Sequence, residues 1–364
     1  MELHAGVAYS FKNAKSGRYL NVEHGNDDDS RALITWHAYH DDATYDFYLY
    51  PTDKDHKRWW IGARCNGRFL FTHENDTLRQ GRIYEAGLTS FEFAFESENG
   101  MYRIRNLRDD VYLREGMMGL GVVLPVPEGR RDGRVFTGDK KNDKSDLWII
   151  EERRECKEIT GLKPVPAAPN FGEIDHLTGF QEPKLQTDLI KLGAVALPPN
   201  LVKDGSHSNS WKMEHSPYYI LTRYSQWTRQ GFKKYLDGQT VKFEKDVTVG
   251  LVDTESTTIQ EHTGIKVNAK AGFEYAGASA SIETEVSHSL DVTTYRSTQF
   301  QQSTTEKATL TSEFKHGDKA ITCWYRDNVF VLTRLTGTEI LRWTTREPNT
   351  QVFDAWPKDV LAKH

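Results

Sequence analysis

The chain has 364 residues, of which 37% are hydrophobic and 27% are charged, and its formal net charge is −5. This composition predicts a globular protein long enough for two domains, and it excludes the basic surface that nucleic-acid binding requires. The three cysteines lie far apart in the sequence, so no disulfide framework or cysteine metal cluster is predicted, and their low number fits folding in a reducing cytosol.

Targeting segments are not predicted. The N-terminus has no basic region followed by an apolar run, so we expect no secretory signal and synthesis in the cytoplasm. No stretch approaches 18 consecutive apolar residues, so we expect no transmembrane helix. If this protein acts on membranes, it must arrive soluble and insert strands.

Residues 1–155 repeat one strand–turn–strand pattern three times. In each copy an aromatic residue is followed ten positions later by a second one; the pairs are Tyr9 and Tyr19, Trp59 and Phe69, and Tyr102 and Tyr112. Each copy closes with two hydrophobic residues two positions apart: Phe47 and Leu49, Phe93 and Phe95, and Trp148 and Ile150. A propeller needs at least four blades, so three copies predict a β-trefoil.

The first repeat resembles a known family at two segments. Ala32–Trp36 and Asp42–Phe47 are similar to the sugar-platform strand and the closing motif of the ricin-B-type lectin trefoils. The resemblance implies that Trp36 stacks on a sugar, with Asn21 where the family has an Asp and Thr44 where it has an Asn.

The other repeats depart further from that family. The platform position is Tyr84 in the second repeat and Leu124 in the third, and the glutamine of the closing motif is replaced in all three repeats. Sugar binding is therefore favoured for the first repeat. The alternative is that these residues serve core and loop packing, and that the trefoil docks on a protein.

The remainder of the chain divides into a linker and a second domain. Residues 156–183 are rich in proline and glycine with few paired apolar positions, which is typical of a linker. Residues 184–364 contain mainly strand patterns, so the predicted fold class is all-β: a β-trefoil followed by an elongated β-sheet domain.

The most regular pattern lies at residues 263–293 and predicts an amphipathic hairpin with a turn at Ala276–Ser279. One face is mainly apolar: Ile265, Val267, Ala269, Ala271, Phe273, Tyr275, Ala280, Ile282, Val286, Leu290 and Val292. The charged residues fall on the opposite face: Lys266, Lys270, Glu274, Glu283, Glu285 and Asp291.

Two interpretations of this hairpin are open. An ordinary β-sandwich hairpin alternates in the same way, and Thr284 and His288 on the apolar face weaken a membrane role. A membrane-inserting hairpin is favoured by the length of the arms, since a tilted strand crosses a bilayer in about 9–11 residues. It is also favoured by the 20 Ser and Thr among residues 254–312.

A second resemblance covers residues 184–350. The block Ser216–Trp227 resembles the Pro-Tyr-Tyr-Ile-Leu block of the Bin-like (toxin-10) insecticidal crystal proteins of Bacillus, in which an N-terminal trefoil precedes an aerolysin-type domain. The resemblance implies a β-pore-forming toxin that is stored in a sporulation crystal inclusion and acts on insect gut cell membranes. Some members of the family are binary toxins, so a second toxin component is an open alternative. The aromatic residues of the block, taken alone, indicate a core strand.

No catalytic motif is present, so we expect no enzyme, metal or cofactor. With 52 acidic residues, an unrecognised glycosidase is a minor alternative. The resemblance implies a head that docks on a cell-surface receptor, for which a glycan is one class. It also implies a C-terminal domain that forms a homo-oligomer in the membrane. The main alternative is a non-lytic lectin or adhesin.

Overall fold

The computed structural model describes the chain except at residues 26–31, 74–76, 82–90, 120–121, 125–131, 142, 164–165, 167–168, 254–255, 264, 269–271, 276–285, 287–288, 291–303, 315 and 362–364. Strands form most of the described structure, and the few helices are short. The all-β prediction is confirmed.

The N-terminal half consists of short strands. In chain order they are β1 (Val7–Asn13), β2 (Tyr19–Asn21), β3 (Ile34–Trp36), β4 (Phe47–Pro51), β5 (Trp59–Ala63), β6 (Phe69–His73), β7 (Thr77–Gly81), β8 (Phe93–Glu98), β9 (Met101–Asn106), β10 (Val111–Gly119), β11 (Val122–Leu124), β12 (Asp132–Gly138) and β13 (Leu147–Glu155).

These strands form a closed barrel with a cap. Strand β1 pairs with β4, β4 with β5, β5 with β8, β8 with β9, β9 with β13, and β13 returns to β1. The hairpins β2–β3, β6–β7 and β10–β12 lie across one end and contact one another through β12. A six-stranded barrel capped by three hairpins is a β-trefoil, as the threefold repeat predicted.

The repeated hydrophobic residues fill the interior of the barrel. Phe11, Phe47, Ile61, Phe93 and Trp148 belong to one buried cluster. Each copy contributes residues from equivalent strands, because the same alternation of side chains points one face of every strand inward.

In the described residues, the C-terminal half contains longer strands and three short α-helices. After helix α1 (Lys157–Thr160) come β14 (Ile190–Leu197), α2 (Asn209–His215), β15 (Tyr219–Tyr235), β16 (Val241–Leu251), α3 (Ser256–Thr263), β17 (Ile265–Asn268), β18 (Gly272–Tyr275), β19 (Thr304–Ser312), β20 (Lys319–Arg334), β21 (Glu339–Arg346) and β22 (Val352–Trp356).

A sheet of seven strands organises this half. Its order is β14-β15-β20-β21-β16-β19, and β22 pairs with β20 beside that path. Strands β15 and β20 pair along 16 positions with one bulge between Arg229 and Gly231. At this bulge a side chain on Gly231 would lie 2.7 Å from the Phe243 ring, so the glycine permits close packing of β16 over the sheet.

Strands β16 and β19 form a ribbon that leaves the sheet. Strand β16 pairs with β21 only at Gly250 and Leu251, whereas it pairs with β19 from Val241 to Val249. Its apolar residues Val241, Phe243 and Val247 pack against β20 and β22. The ribbon therefore covers the sheet face to face and is joined to it at one end.

The segment predicted as a linker contacts the C-terminal sheet. The Trp227 indole donates to the Gly172 carbonyl at 3.1 Å, and the Leu177 amide donates to an Asp354 carboxylate oxygen at 2.6 Å. The Arg326 guanidinium lies 3.9 Å from the Phe171 ring centroid. The proline-rich segment thus lies along the sheet and is held there by specific contacts.

Tyr218, in the Pro-Tyr-Tyr block, joins the two halves. Its hydroxyl accepts a hydrogen bond from the Gly6 amide at 2.9 Å and donates to the Leu49 carbonyl at 3.1 Å. Its ring packs against Tyr48 and Tyr50, and the Tyr50 hydroxyl donates to the Pro217 carbonyl at 3.0 Å. Burial raises the pKa of Tyr218 well above its ordinary value. The block is core, as its aromatic pattern indicated, and that core is shared with the trefoil.

Asp204 anchors the loop before α2 to the sheet. Its carboxylate accepts from Arg334 Nε at 2.7 Å, from Arg334 Nη2 at 2.8 Å and from the Tyr219 hydroxyl at 2.7 Å. The Arg334 hydrogen bond is the main cause that lowers the pKa of Asp204; burial opposes it, and the Tyr219 hydrogen bond adds to it.

We expect Asp204→Asn to lower the free energy of unfolding by about 2 kcal/mol at neutral pH, because a charge-assisted pair is lost. Because the pKa of Asp204 is lower in the folded than in the unfolded protein, Asp204 stabilises the fold at pH values above its unfolded pKa of about 3.9. This stabilisation is lost as the pH falls through the folded-state pKa. In urea unfolding, the wild type should therefore be more stable than Asp204→Asn at pH 7, and the two stabilities should converge in strong acid. Asp55→Asn, at an exposed site, is the control; a difference that persists unchanged in acid would contradict the ion-pair explanation.

Candidate functional site

The first arm of the predicted hairpin is itself folded back in this structure. Strands β17 and β18 pair antiparallel, with Ile265 opposite Tyr275 and Val267 opposite Phe273. The prediction of one continuous strand from Ile265 to Tyr275 is therefore wrong for this state. Folding back pairs backbone groups that a lone extended arm would leave unpaired.

The second arm contains a helical turn where a strand was predicted. The Leu290 amide donates to the Val286 carbonyl at 3.0 Å, a separation of four residues that defines α-helical bonding. Positions four apart lie on one side of a helix and also on one face of a strand. The apolar spacing of Val286 and Leu290 therefore could not distinguish the two structures.

Apolar residues from this part of the chain are buried against the sheet. Ile259 of α3, Val286 and Leu290 are each at most 1% exposed and belong to one cluster with Phe330 and Trp343. We call the described residues between Ser256 and Leu290 the stowed segment. Its residues Ile259, Val286 and Leu290 cover the sheet face that carries β15, β20 and β21.

The other predicted hairpin residues are only partly described. Lys266 and Glu274 are paired across β17 and β18. Outside the described residues lie Ala269, Lys270, Ala271, Ala280, Ile282, Glu283, Glu285, Asp291 and Val292. Their assignment to a lipid face or a pore lumen stays a prediction.

The predicted sugar platform of the first repeat is brought together by β2 and β3. Trp36 lies opposite Tyr19, and Asn21 lies two residues further along the same strand, so Trp36 and Asn21 share a face. The Asn21 side-chain amide donates to the Thr44 hydroxyl at 2.8 Å. Trp36 is partly exposed. Tyr84 lies outside the described residues.

Two carboxylates near this platform were missed by sequence reasoning. Asp42 is exposed, and it accepts from the Thr44 amide at 2.8 Å and from the Thr44 hydroxyl. Asp132 lies opposite Trp36 on β12. The Asp-x-Thr spacing was a usable signal for Asp42, because Asp commonly caps a turn two residues on.

Tyr45, which replaces the glutamine of the closing motif, is a packing residue. It is buried, and its ring contacts Tyr39 and His40 at centroid distances of 5.4 and 5.8 Å. Burial, with a further contribution from the charge of Asp42, raises the pKa of Tyr45 to about 12. In this repeat the closing motif stabilises the trefoil through an aromatic cluster.

In the described part of the chain, no group of three or more His, Cys, Asp or Glu side chains is arranged to hold a metal ion. No helix there is long and apolar enough to span a membrane.

The fold defines an all-β protein in which an N-terminal β-trefoil shares a core with a long-stranded C-terminal sheet. Residues 190–358 match the model of the family described as Insecticidal Crystal Toxin, P42. The Bin-like resemblance is thereby confirmed. No curated protein sequence matches the chain.

Solved structures are similar to the whole chain or to part of it. Cry35Ab1 is similar over 100% of this chain and 94% of its own, with 16% identity and a TM-score of 0.67. The Rhizoctonia solani agglutinin matches 42% of this chain and 99% of its own, with 15% identity and a TM-score of 0.33. The Macrolepiota procera ricin B-like lectin, solved with lactose, matches 42% and 100%, with 18% identity and a TM-score of 0.32.

Proposed function

We propose that this chain is an insecticidal β-pore-forming toxin without enzymatic activity. The trefoil docks on a surface receptor of a host cell, and the C-terminal domain assembles into a ring and inserts residues 263–293 into the membrane. The family match of residues 190–358 supports the toxin class. A cytoplasmic origin and storage in a crystal inclusion belong to the same proposal, and a second toxin component stays an open alternative.

The observation that carries the membrane role is the register of the β16–β19 ribbon. Val241 lies opposite Ser312 and Val249 opposite Thr304, so the two residue numbers of every pair sum to 553 without a shift. If the ladder continued in this register, Tyr275 would lie opposite Ala278. Ala276 and Gly277 would then form a two-residue turn, within the turn that the sequence predicts.

The same register also aligns the apolar faces. An odd-numbered residue of the first arm would lie opposite an even-numbered residue of the second, as in Val267 with Val286 and Phe273 with Ala280. Residues directly opposite each other share a face. The apolar positions of both arms would therefore form one face, continuous with the buried face of β16, and the charged positions would continue its exposed face.

The ribbon also supports assembly of several copies. Over Val241–Val249, the described pairings of β16 are with β19 alone, and the described pairings of β19 are with β16 alone. In lipid every unpaired N–H and C=O costs several kcal/mol. A hairpin extended from this ribbon would therefore be stable in a membrane only within a closed barrel formed by several copies.

Dye release from target-cell vesicles tests this function. We expect release by the wild-type chain and rings of protein on the membrane by electron microscopy. Binding or agglutination without release would favour the alternative, a non-lytic lectin or adhesin. That alternative is supported by the partly exposed Trp36, which shares a face with Asn21.

We expect Trp36→Ala to abolish binding of the trefoil to a glycan receptor, because an accessible aromatic ring supplies the stacking surface for a sugar. Binding to target cells and to a glycan array measures the effect, and thermal unfolding verifies that the variant is folded. Trp36→Phe, which keeps a smaller stacking surface, should bind partially. A folded Trp36→Ala variant with wild-type binding would rule out this sugar platform.

A further inference from the structure

A buried polar cluster lies beneath the stowed segment, next to the apolar residues that the segment covers. Arg223 of β15 and Asn328 of β20 are both 0% exposed, and Glu347, just after β21, is 1% exposed. Arg223 lies opposite Phe330 in the β15–β20 ladder, and Asn328 lies two residues from Phe330. The two polar side chains therefore share the sheet face that carries Phe330.

The Arg223 guanidinium connects this sheet face to the stowed segment. Its Nε donates to Asn328 Oδ1 at 2.9 Å, and its Nη1 donates to the Leu290 carbonyl at 2.9 Å. Its Nη2 lies 3.6 Å from Glu347 Oε1. Asn328 and Glu347 belong to the sheet and the residues next to it, whereas Leu290 belongs to the segment that moves in the proposed function.

We propose that Arg223 is a latch that holds the stowed segment on the sheet and sets the threshold for its release. This inference rests on the proposed function, in which the segment leaves the sheet. Carbonyls in the last turn of a helix lack intrahelical partners, and a guanidinium satisfies the one at Leu290 with a charge-assisted bond. The contact fastens the segment through its backbone, independently of the side chain at position 290.

The sheet stays intact when such a latch opens. After Leu290 leaves, Arg223 retains Asn328 and Glu347, so its charge keeps a hydrogen-bond acceptor and a carboxylate. Glu347 is also bound by Arg326 through Nε at 2.6 Å, and its Oε1 accepts from Asn328 Nδ2 at 2.7 Å. Among the described contacts, release therefore breaks the charge-assisted hydrogen bond from Arg223 to the Leu290 carbonyl and exposes Ile259, Val286 and Leu290.

Hydrogen–deuterium exchange of the full chain, without membranes, tests the latch directly. In Arg223→Met, we expect amides at residues 286–290 to exchange about 10- to 100-fold faster, which corresponds to the loss of a hydrogen bond to a charged group. Peptides from β20 should keep their protection. Arg326→Met is the matched control, because it removes another arginine from Glu347; protection at residues 286–290 should remain there.

Unchanged protection in a folded Arg223→Met variant would overturn the latch. If that variant does not fold, Arg223→Lys decides. The lysine ammonium keeps the positive charge but lacks the planar geometry that contacts Asn328, Glu347 and the Leu290 carbonyl together. Faster exchange at residues 286–290 in this variant supports the latch, and unchanged exchange overturns it.

Dye release measured in parallel separates the latch from the proposed function. If the wild type releases dye and exchange in the Arg223 variants is unchanged, the pore proposal stands and the latch proposal is rejected. If exchange in the variants is faster but no protein releases dye, the latch proposal stands and the pore proposal is rejected.

Discussion

A disulfide between positions 267 and 273 is expected to abolish pore formation. In the described structure Val267 and Phe273 are directly opposite each other in the β17–β18 pair. Opposed antiparallel residues have Cα atoms about 4.5–5.5 Å apart, which suits a disulfide. In the proposed inserted hairpin the same residues lie on one arm, six positions apart, about 20 Å along an extended strand. The bond is therefore compatible with the stowed state and incompatible with the inserted one.

The measurement is dye release by Val267→Cys/Phe273→Cys before and after reduction. We expect no release from the oxidised protein, unchanged receptor binding, and recovery on reduction. The matched control is Lys242→Cys/Thr311→Cys, which joins an exposed opposed pair of the β16–β19 ribbon. That pairing persists in the proposed pore, so the control should release dye while oxidised. Release by the oxidised 267–273 variant would show that another segment inserts.

The pore is expected to select cations, and reversing two charges is expected to reverse that preference. The proposed lumen residues are Lys266, Lys270, Glu274, Glu283, Glu285 and Asp291. Two positive and four negative side chains leave −2 per subunit, and rings of acidic side chains favour cations. Glu283→Lys with Glu285→Lys changes this sum to +2. High salt should weaken the selectivity in both proteins, because screening shortens the field.

The extended register distinguishes the two glutamates. If the β16–β19 register continues into the hairpin, so that the numbers of paired residues sum to 553, Glu283 lies opposite Lys270 and Glu285 lies opposite Asn268. Like charges directly opposite are destabilising, so Glu283→Lys alone should slow pore formation, while Glu285→Lys alone should change selectivity without that effect.

The reversal potential in a planar bilayer under a salt gradient measures selectivity. Asp55→Lys, an exposed substitution in the trefoil with the charge change of each single variant, should leave the potential unchanged. An anion-selective wild type, or a double variant with the wild-type potential, would mean that these residues do not line the pore.

Local sequence patterns determined the trefoil and the strand character of the C-terminal domain. The trefoil was predictable because each repeat carries its own core residues at the same spacing, as in Tyr9 and Tyr19 or Trp59 and Phe69. The ribbon's alternation is equally local: Val241, Phe243 and Val247 are buried and Lys242 and Glu244 are exposed. The grouping of Asn21, Thr44 and Trp36 was implied by the resemblance of the first repeat to the ricin-B-type lectins, and its role in sugar binding stays a prediction.

The tertiary structure alone decided how the amphipathic segment is arranged. A spacing of four residues, as in Val286 and Leu290, satisfies both a helix and a strand, so the choice depends on which surface covers the segment. That surface is formed by residues distant in sequence; Arg223 and Leu290 are 67 positions apart, and Arg223 and Asn328 are 105 apart. Tyr218 likewise contacts Gly6 and Leu49 across the chain. Alternation along a strand specifies which residues share a face. Whether that face is covered by protein or by lipid depends on contacts between distant residues, which only the folded chain brings together.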